Sequence, residues 1–323
     1  MTPVDVVLIG RNEGERLRRA LAGARGQARR IVYVDSGSTD GSVEAARAAG
    51  AEVVRLDMSI PFTAARARNA GFEALDSSGP KPELVQFVDG DCALVEGFVD
   101  AARARIEADS RLALVTGWRS EIDRDASVYN QLCDFEWRRP AGPILACGGD
   151  MLVRAPAFRQ VGGFDPTVIA AEDDEFCTRL RKAGWALERI PAEMTRHDAN
   201  MLRFGQWWQR AVRTGHGFAQ VGHLHPDYFV VERRRVWIFG LYVPLLILAL
   251  GAVSPWLAPL PALLYALSLW RTYKGLAGNG LPKDEALRHS ALIVLSKFPN
   301  LIGMAMFHWR RLRHAQMRII EYK

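Results

Sequence analysis

The stretch Leu84-Val85-Gln86-Phe87-Val88-Asp89-Gly90-Asp91 joins a mostly apolar run to two carboxylates separated by one glycine. A short run of this kind, ending abruptly in charge, reads as a buried strand whose carboxyl end opens into a loop. Glycine between the two acids allows a tight bend. The pair then offers hard oxygen donors suited to Mg²⁺ or Mn²⁺, with room for the ion to bind substrate phosphates as well. An isolated Asp-x-Asp is more often a plain acidic turn. Its position at a strand end is what changes the reading.

The same grammar repeats on both sides of this stretch. Apolar runs at Val4–Ile9, Ile31–Val34, Val53–Arg55 and Leu112–Thr116 alternate with helical patterns around Glu15–Arg25, Val43–Ala49, Ala64–Leu75 and Phe98–Ala108. Strand-helix alternation predicts a parallel sheet covered on both faces. Ligands of such sheets sit beyond the carboxyl ends of the strands. Those ends are polar: Arg11-Asn12-Glu13 after the first run, Asp35-Ser36-Gly37-Ser38-Thr39-Asp40-Gly41-Ser42 after the second, and Asp89-Gly90-Asp91 after the fourth. Hydroxyls and backbone N–H groups in the second loop suit a phosphate, a base or a ribose. The same loop also reads as an ordinary capped turn with Ser42 as N-cap.

Downstream, Glu172-Asp173-Asp174-Glu175 opens a helix that runs to a glycine stop at Gly184. Acidic residues in a first turn commonly serve the helix dipole. Four in succession exceed that need, and their mutual repulsion raises a pKa toward the range of a general base. Gly148-Gly149-Asp150 and Gly162-Gly163-Phe164-Asp165 supply backbone that a bulky substrate can approach closely. His197, after an apparent strand at Trp185–Ile190, becomes a metal ligand only in company with Asp91. The four cysteines, Cys92, Cys133, Cys147 and Cys177, lack zinc-ligand spacing and fit a reducing compartment.

Of the chain's 323 residues, 49% are hydrophobic, and the net charge of +6 excludes a disordered class. That charge is unevenly placed. Residues 1–200 carry 26 basic and 31 acidic side chains, a net of −5, and residues 201–323 carry 16 and 5, a net of +11. The basic part surrounds Val236–Trp270, a run of 35 residues without a charged side chain. Since one membrane span needs roughly 20 apolar residues, the run is expected to hold two short spans divided at Ser254, Pro255, Pro259 and Pro261, with a buried helical hairpin of a soluble protein as the alternative. Arg233–Arg235 before it and Arg271 and Lys274 after it place both ends on the cytoplasmic side. A further stretch, Ser290–Trp309, interrupted by Lys297 and Pro299, reads as a weaker span or an interfacial helix. Residues 203–235, with Phe204, Trp207 and Trp208 among arginines, suit a headgroup interface. Val4–Ile9 is too short for a signal peptide, so the chain is expected to start in the cytosol. An anionic membrane, not nucleic acid, is the partner this charge pattern points to.

In order along the chain, Ile9-Gly10-Arg11-Asn12-Glu13, Val34–Ser42, Ala65-Arg66-Ala67-Arg68-Asn69-Ala70-Gly71, Val88–Asp91, Gly148-Gly149-Asp150 and Ala171–Leu180 resemble the motifs of the family 2 glycosyltransferases of the GT-A fold, over roughly residues 4–200. The resemblance implies an α/β fold with a Rossmann-like mixed sheet flanked by helices, followed here by a C-terminal hydrophobic, membrane-associating helical region. It divides the chain into a catalytic domain (1–200), a basic aromatic segment (201–235) and membrane-associated helices with a basic tail (236–323). It implies that Asn12, Glu13, Asp35, Ser38, Arg66, Asn69 and Asp89 bind the nucleotide sugar, with Asp35 on the base and Asp89 by the ribose or the amide network. It further implies that Asp91 is the ligand of a divalent metal, Mn²⁺ or Mg²⁺, that His197 sits where some relatives have a further ligand, and that Asp173 is the catalytic base. Gly148, Gly149, Asp150 and Glu172 fall on the sugar or acceptor side.

The implied reaction is inverting, metal-dependent transfer from a nucleoside-diphosphate sugar to an acceptor hydroxyl, the acceptor a glycan or lipid-linked, in cell-surface polysaccharide synthesis. The Gln-x-x-Arg-Trp motif of processive synthases is absent in that form, with only Gln206-Trp207-Trp208-Gln209-Arg210 as an echo, so processive polymerisation is not expected. Two other classes compete. A nucleotidyltransferase lacks its usual Gly-rich basic loop here, and a catalytically silent membrane-tethered scaffold sits poorly with intact Asp89, Asp91 and Asp173.

Overall fold

A computed structural model describes residues 1–321. The chain forms two compact units, one of residues 1–124 and 133–200, the other of residues 125–132 and 201 onward. In the first unit the strands are β1 (Val4–Gly10), β2 (Ile31–Asp35), β3 (Glu52–Arg55), β4 (Leu84–Asp89), β5 (Cys92–Leu94), β6 (Leu112–Glu121), β7 (Gly142–Pro143), β8 (Met151–Arg154) and β9 (Ala186–His197). Its helices are α1 (Glu15–Ala24), α2 (Ser42–Ala48), α3 (Ala64–Ser77), α4 (Phe98–Ala108), the later turns of α5 (Val128–Trp137), α6 (Ala155–Gln160) and α7 (Glu172–Lys182).

The strands join in one sheet, ordered β3-β2-β1-β4-β8-β6-β9-β5, with β7 paired to β9. β3, β2, β1 and β4 are parallel, as the alternating pattern predicts. Beyond them the sheet is mixed, because β8 enters antiparallel to both β4 and β6. Strand pleating explains why the apolar runs are continuous. Val6 and Leu8 of β1 point into a core built with Leu17 and Leu21 of α1 and Phe98 and Ile106 of α4. Val7 and Ile9 point the other way, toward Phe72 of α3, Phe158 of α6 and Phe176 of α7. Successive side chains alternate faces, and both faces are covered by helices, so every position is apolar.

The Ser42 cap reading is corrected. Gly41 occupies the N-cap of α2, and the Ser42 hydroxyl instead donates to the Asp40 carboxylate at 2.6 Å. Asp40 also accepts from the Gly14 N–H at 2.9 Å, which ties the first and second strand-end loops together.

In the second unit, α8 (Phe204–Leu224) is followed by α9 (Val230–Val236), a π-helical stretch at Trp237–Tyr242 and α10 (Val243–Val253). Ser254, in an extended conformation, and a 3₁₀ turn at Pro255–Leu257 end this helix, close to the expected division. Then come α11 (Pro259–Gly278), α12 (Lys283–Leu295) and α13 (Lys297–Leu312). Two helical stretches, Val230–Val253 and Lys283–Leu312, are long and apolar enough to cross a membrane, by length and composition. The second contains the stretch read as interrupted. Lys297 and Pro299 fall in the first turn of α13, where backbone N–H groups need no helical partner.

The packing of α3 on the sheet generates a test. A Cβ built on Gly71 would lie 2.3 Å from Val7 Cγ1 and 3.1 Å from Val34 Cγ2. Alanine is worth about 1 kcal/mol more than glycine within a helix, but overpacking costs about 1–3 kcal/mol. Gly71→Ala is expected to lower the thermal unfolding midpoint of the purified protein; an increase would show that α3 has freedom to move away from β1.

Candidate functional site

The carboxyl ends of β4 and β6 and the start of α7 carry a lattice of two arginines and three acids. Arg68, on α3, is buried; its Nη2 donates to Asp89 Oδ1 at 2.7 Å and its Nη1 to Glu172 Oε1 at 2.7 Å. Arg119, on β6, pairs with Asp150 Oδ2 at 2.7 Å and Asp89 Oδ2 at 3.4 Å, with its guanidinium over the Trp137 ring. Asp150 is wholly buried and also accepts from the Asp89 N–H at 3.0 Å and the Thr195 hydroxyl at 2.7 Å. Burial pushes the Asp89 carboxyl up, but the Arg68 and Arg119 guanidinium groups outweigh it and hold it below the usual carboxylate range. A Cβ on Gly149 would lie 2.3 Å from Arg68 Nη2 and 2.7 Å from Asp89 Oδ2, so the Gly148-Gly149 backbone closes directly over this pair.

The sequence pattern singles out Asp89, Asp150, Glu172 and Gly149, and the fold brings them together. Arg68 and Arg119 were missed. Arg68 had a signal, since it interrupts the apolar face of α3 between Ala65 and Phe72, where only a paired charge is tolerated. Arg119 had none, because it lies past the apolar part of β6.

A second cluster lies beside the first. Antiparallel pairing of β5 with β9 sets Cys92 opposite His197. Asp91 Oδ2 is 3.4 Å from His197 Nε2, and ligand atoms of Asp91, Cys92 and His197 all lie within 4.8 Å of one another. His197 Nδ1 is 3.0 Å from Glu121 Oε2, a buried carboxylate that also accepts from the Ala199 N–H at 3.0 Å. An imidazole held on one nitrogen by a carboxylate, with the other facing a second carboxylate, is the usual setting of a metal-binding histidine. The oxygen-nitrogen donor set suits a divalent ion such as Mn²⁺ or Mg²⁺. Mn²⁺ and Mg²⁺ favour oxygen and nitrogen over sulfur, which makes Asp91 and His197 the better donors of the three. Glu121 was also missed, since its partner His197 is distant in sequence. Gly90 fits for a different reason from the bend expected: a Cβ there would lie 2.9 Å from the Ile9 carbonyl oxygen, so β4 can approach β1 only without one.

At the other end of the sheet, Asp35 accepts from the Tyr33 hydroxyl at 3.2 Å and from the N–H groups of Gly37 and Ser38, both at 3.1 Å. Asn12, in the left-handed region at φ 56°, donates its N–H to Ser38 Oγ at 2.9 Å and accepts from the Thr39 N–H at 2.7 Å. Glu13 pairs with Arg16 at 2.9 Å. The first and second strand-end loops therefore form one interlocked wall. Arg66 donates to the carbonyls of Asp57, Ile60 and Pro61, and Asn69 makes a two-way amide clasp with the Phe164 backbone at 2.8 and 2.9 Å. Both side chains fasten loops of the site.

Of the four acids opening α7, Glu172 is held by Arg68 and Glu175 by Arg179 at 2.6 Å. Asp173 lies between them, partly exposed. Its carboxyl is pushed well above the usual range, first by loss of bulk water around it and then by the charges of Asp174 and Glu172, with Arg68 opposing. A carboxylate of raised basicity at the mouth of an arginine-bound acidic lattice can accept a proton from a hydroxyl. Nearby, the Cys147 and Cys177 sulfurs are 3.7 Å apart, and their contact together with burial keeps the Cys147 thiol protonated.

Comparison with known proteins places these features in context. Residues 5–147 match the model of glycosyl transferase family 2, and residues 88–302 match that of glycosyl transferase family group 2. Pre-mycofactocin glycosyltransferases from two strains of Mycobacterium tuberculosis are each 28% identical over 237 residues, covering 69% of this chain and 48% of theirs. The chain thus spans about half the length of these curated relatives. A mannosyltransferase from Pyrobaculum calidifontis, solved with GDP-Man and Mn²⁺, superposes with a TM-score of 0.58 at 18% identity, covering 96% of this chain and 88% of that one. That likeness supports a shared GT-A-type fold.

The Arg68 lattice generates a stability test. Breaking a buried ion pair by removing one partner costs about 3–5 kcal/mol, because it strands the opposite charge. Arg68→Met is expected to lower unfolding stability by that order, and adding Asp89→Asn should recover part of it. Denaturant unfolding of both variants reads the result, and a single variant as stable as wild type would contradict the bridging role.

Proposed function

The chain belongs to glycosyl transferase family group 2, and on that premise we propose that it transfers a sugar from a nucleoside-diphosphate donor to an acceptor hydroxyl with inversion at the anomeric carbon. The observation that carries this reading is the placement of Asp173. Its basic carboxyl stands at the start of α7, next to Glu172, whose Arg68 partner also grips Asp89 beside the Asp91–His197 pair.

In this reading the wall formed by Asn12, Glu13, Asp35 and Ser38 receives the nucleotide, with Asp35 toward the base and Asp89 toward the ribose. Arg66 and Asn69 hold the surrounding loops. Gly148 and Gly149 present backbone to the sugar, while Asp150 and Glu172 keep Arg119 and Arg68 in position. Asp91 and His197 would hold a divalent ion, with Glu121 orienting the imidazole. Such an ion, when bound, supplies positive charge at the diphosphate leaving group. Asp173 takes the proton of the acceptor hydroxyl as that oxygen attacks the face opposite the departing diphosphate, and a single displacement inverts the centre.

The two long apolar helices and the excess of basic over acidic residues after position 200 support a membrane-associated protein. By the positive-inside rule its catalytic unit faces the cytoplasm. The acceptor is then a lipid-linked or membrane-borne glycan precursor in cell-surface polysaccharide synthesis.

Asp173→Asn is expected to keep the fold and lose about 10²–10⁴ of the transfer rate, read with a nucleotide-sugar panel and Mn²⁺. Near-wild-type transfer would remove Asp173 as the base. Because a base works deprotonated and the Asp173 carboxyl is raised, the rate of the wild type should fall on acidification at a pH above the ordinary carboxylate range. An acidic limb at the ordinary carboxylate value would argue against this assignment.

Chelation should abolish transfer, with Mn²⁺ or Mg²⁺ restoring it. Glu121→Gln is expected to raise the Mn²⁺ concentration for half-maximal activity about 10–100-fold. Chelator-resistant transfer would take Asp91 and His197 out of metal binding.

A further inference from the structure

Three residues of β6 address one corner of the first unit. Trp118 donates its indole Nε1–H to the Arg139 carbonyl at 2.8 Å, just past the end of α5, and the Glu121 N–H donates to Asp134 Oδ1 at 2.9 Å, one turn before that end. The last turn of α5 is thereby tied to β6 at two points. Arg119 lays its guanidinium over the ring of Trp137, the final residue of the helix, with Cζ 5.3 Å from the ring centroid. Trp137 also meets His197: the two ring centroids are 4.6 Å apart, with the planes at 73°. One indole therefore touches both the arginine lattice and the imidazole beside Asp91.

The imidazole needs more than its hydrogen bond to serve as a ligand. Glu121 Oε2 fixes Nδ1 at 3.0 Å, and Nε2 lies 3.4 Å from Asp91 Oδ2. A single hydrogen bond sets the direction of Nδ1 but leaves the ring free to tilt about it, and a metal ligand has to keep its donor nitrogen aimed. An aromatic pair packed edge to face resists that tilt, because ring quadrupoles favour the near-perpendicular arrangement. The same kind of ring accepts a guanidinium on its face. A carboxylate in place of Trp137 would draw Arg119 away from Asp89 and Asp150, and a cation there would repel a divalent ion at Asp91. A neutral aromatic ring does neither.

We propose that Trp137 is a positioning residue of the Asp91–His197 metal site, holding the imidazole so that Nε2 stays turned to Asp91. The inference rests on the reading that Asp91 and His197 hold a divalent ion, and it adds a residue that makes no bond to that ion.

The test uses the full chain in neutral detergent, titrated with Mn²⁺ alone, with free Mn²⁺ read by electron paramagnetic resonance. Wild type should bind Mn²⁺ saturably, and Asp91→Asn should lose that binding. Trp137→Leu is expected to weaken it about 3–10-fold, the worth of an aromatic pair, while Trp137→Phe, which keeps a ring, restores most of the affinity. Trp185→Leu removes an indole that donates to Gln160 Oε1 at 2.9 Å, and should leave the affinity unchanged. Tryptophan fluorescence supplies a second readout. Paramagnetic Mn²⁺ quenches an indole at short range and Mg²⁺ does not, so Mn²⁺ should quench wild type and quench Trp137→Phe far less. This measurement keeps an aromatic ring in place and does not depend on the leucine variant folding. Absence of Mn²⁺ binding in wild type, or binding that survives Asp91→Asn, defeats the metal reading and the positioning role together. Asp91-dependent binding with wild-type affinity in Trp137→Leu defeats the positioning role alone. Equal losses in Trp137→Leu and Trp185→Leu do the same, as do a Trp137→Phe variant no better than Trp137→Leu and quenching that persists undiminished in Trp137→Phe.

Discussion

The buried guanidinium of Arg68 is the constraint on which the first unit's site depends. It sits between Asp89 and Glu172, each at 2.7 Å, and so couples the end of a central strand to the first turn of α7. Arginine suits this position because its planar fork serves two carboxylates at once and it does not deprotonate in proteins. The buried acids around it are tolerable only while that charge is present. Arg119 repeats the device one strand away, with Asp150 wholly buried beneath it. Each guanidinium of the framework is thus matched by carboxylates within it, and Asp173, outside the tight pairs, is left with a carboxyl of raised basicity.

The acidic framework and the basic second unit are two solutions to one difficulty, that of keeping like charges close together. In the first unit, carboxylates are crowded and arginines from other strands and helices balance them inside the protein. In the second, Arg233, Arg234 and Arg235 follow one another on a single helix, and residues 201–323 hold 5 acids against 16 bases. This contrast explains why a modest total charge says so little about the chain as a whole.

Much of the fold was legible because both faces of the sheet are covered. Continuous apolar runs at β1, β2 and β4 have no other economical explanation, and the helices between them follow from their spacing. β8 was not legible: four residues after Gly148-Gly149-Asp150 carry no period long enough to read, and its antiparallel entry is decided by β4 and β6 on either side. In the site, acids at strand ends could be found from the pattern because charge there interrupts an apolar run. Their partners could not, since Arg119 and Glu121 lie on a strand that looks like any half-exposed segment. Arg66 and Asn69 fall in a recognisable motif, but the loop carbonyls and the Phe164 backbone that their polar atoms grip are brought to them only by the fold. The sequence pattern also divided the apolar run near Ser254, and its interruption beside Lys297 falls where α12 ends and α13 begins.

β6 pairs with β9 through several register irregularities, two of them in mid-strand, between Thr116 and Trp118 and between Trp118 and Arg119. Before them, Leu112 to Val115 fill the two cores; after them, Arg119 and Glu121, two residues apart, serve the arginine lattice and His197. A strand's side chains change face with every residue, so the irregular segment sets the parity of all that follows. Insertion or deletion of one residue at Gly117 would leave the apolar half of β6 in place yet turn both charges to the opposite face. The segment is thus a point where a change of one residue in length would cost the chemistry and spare the fold.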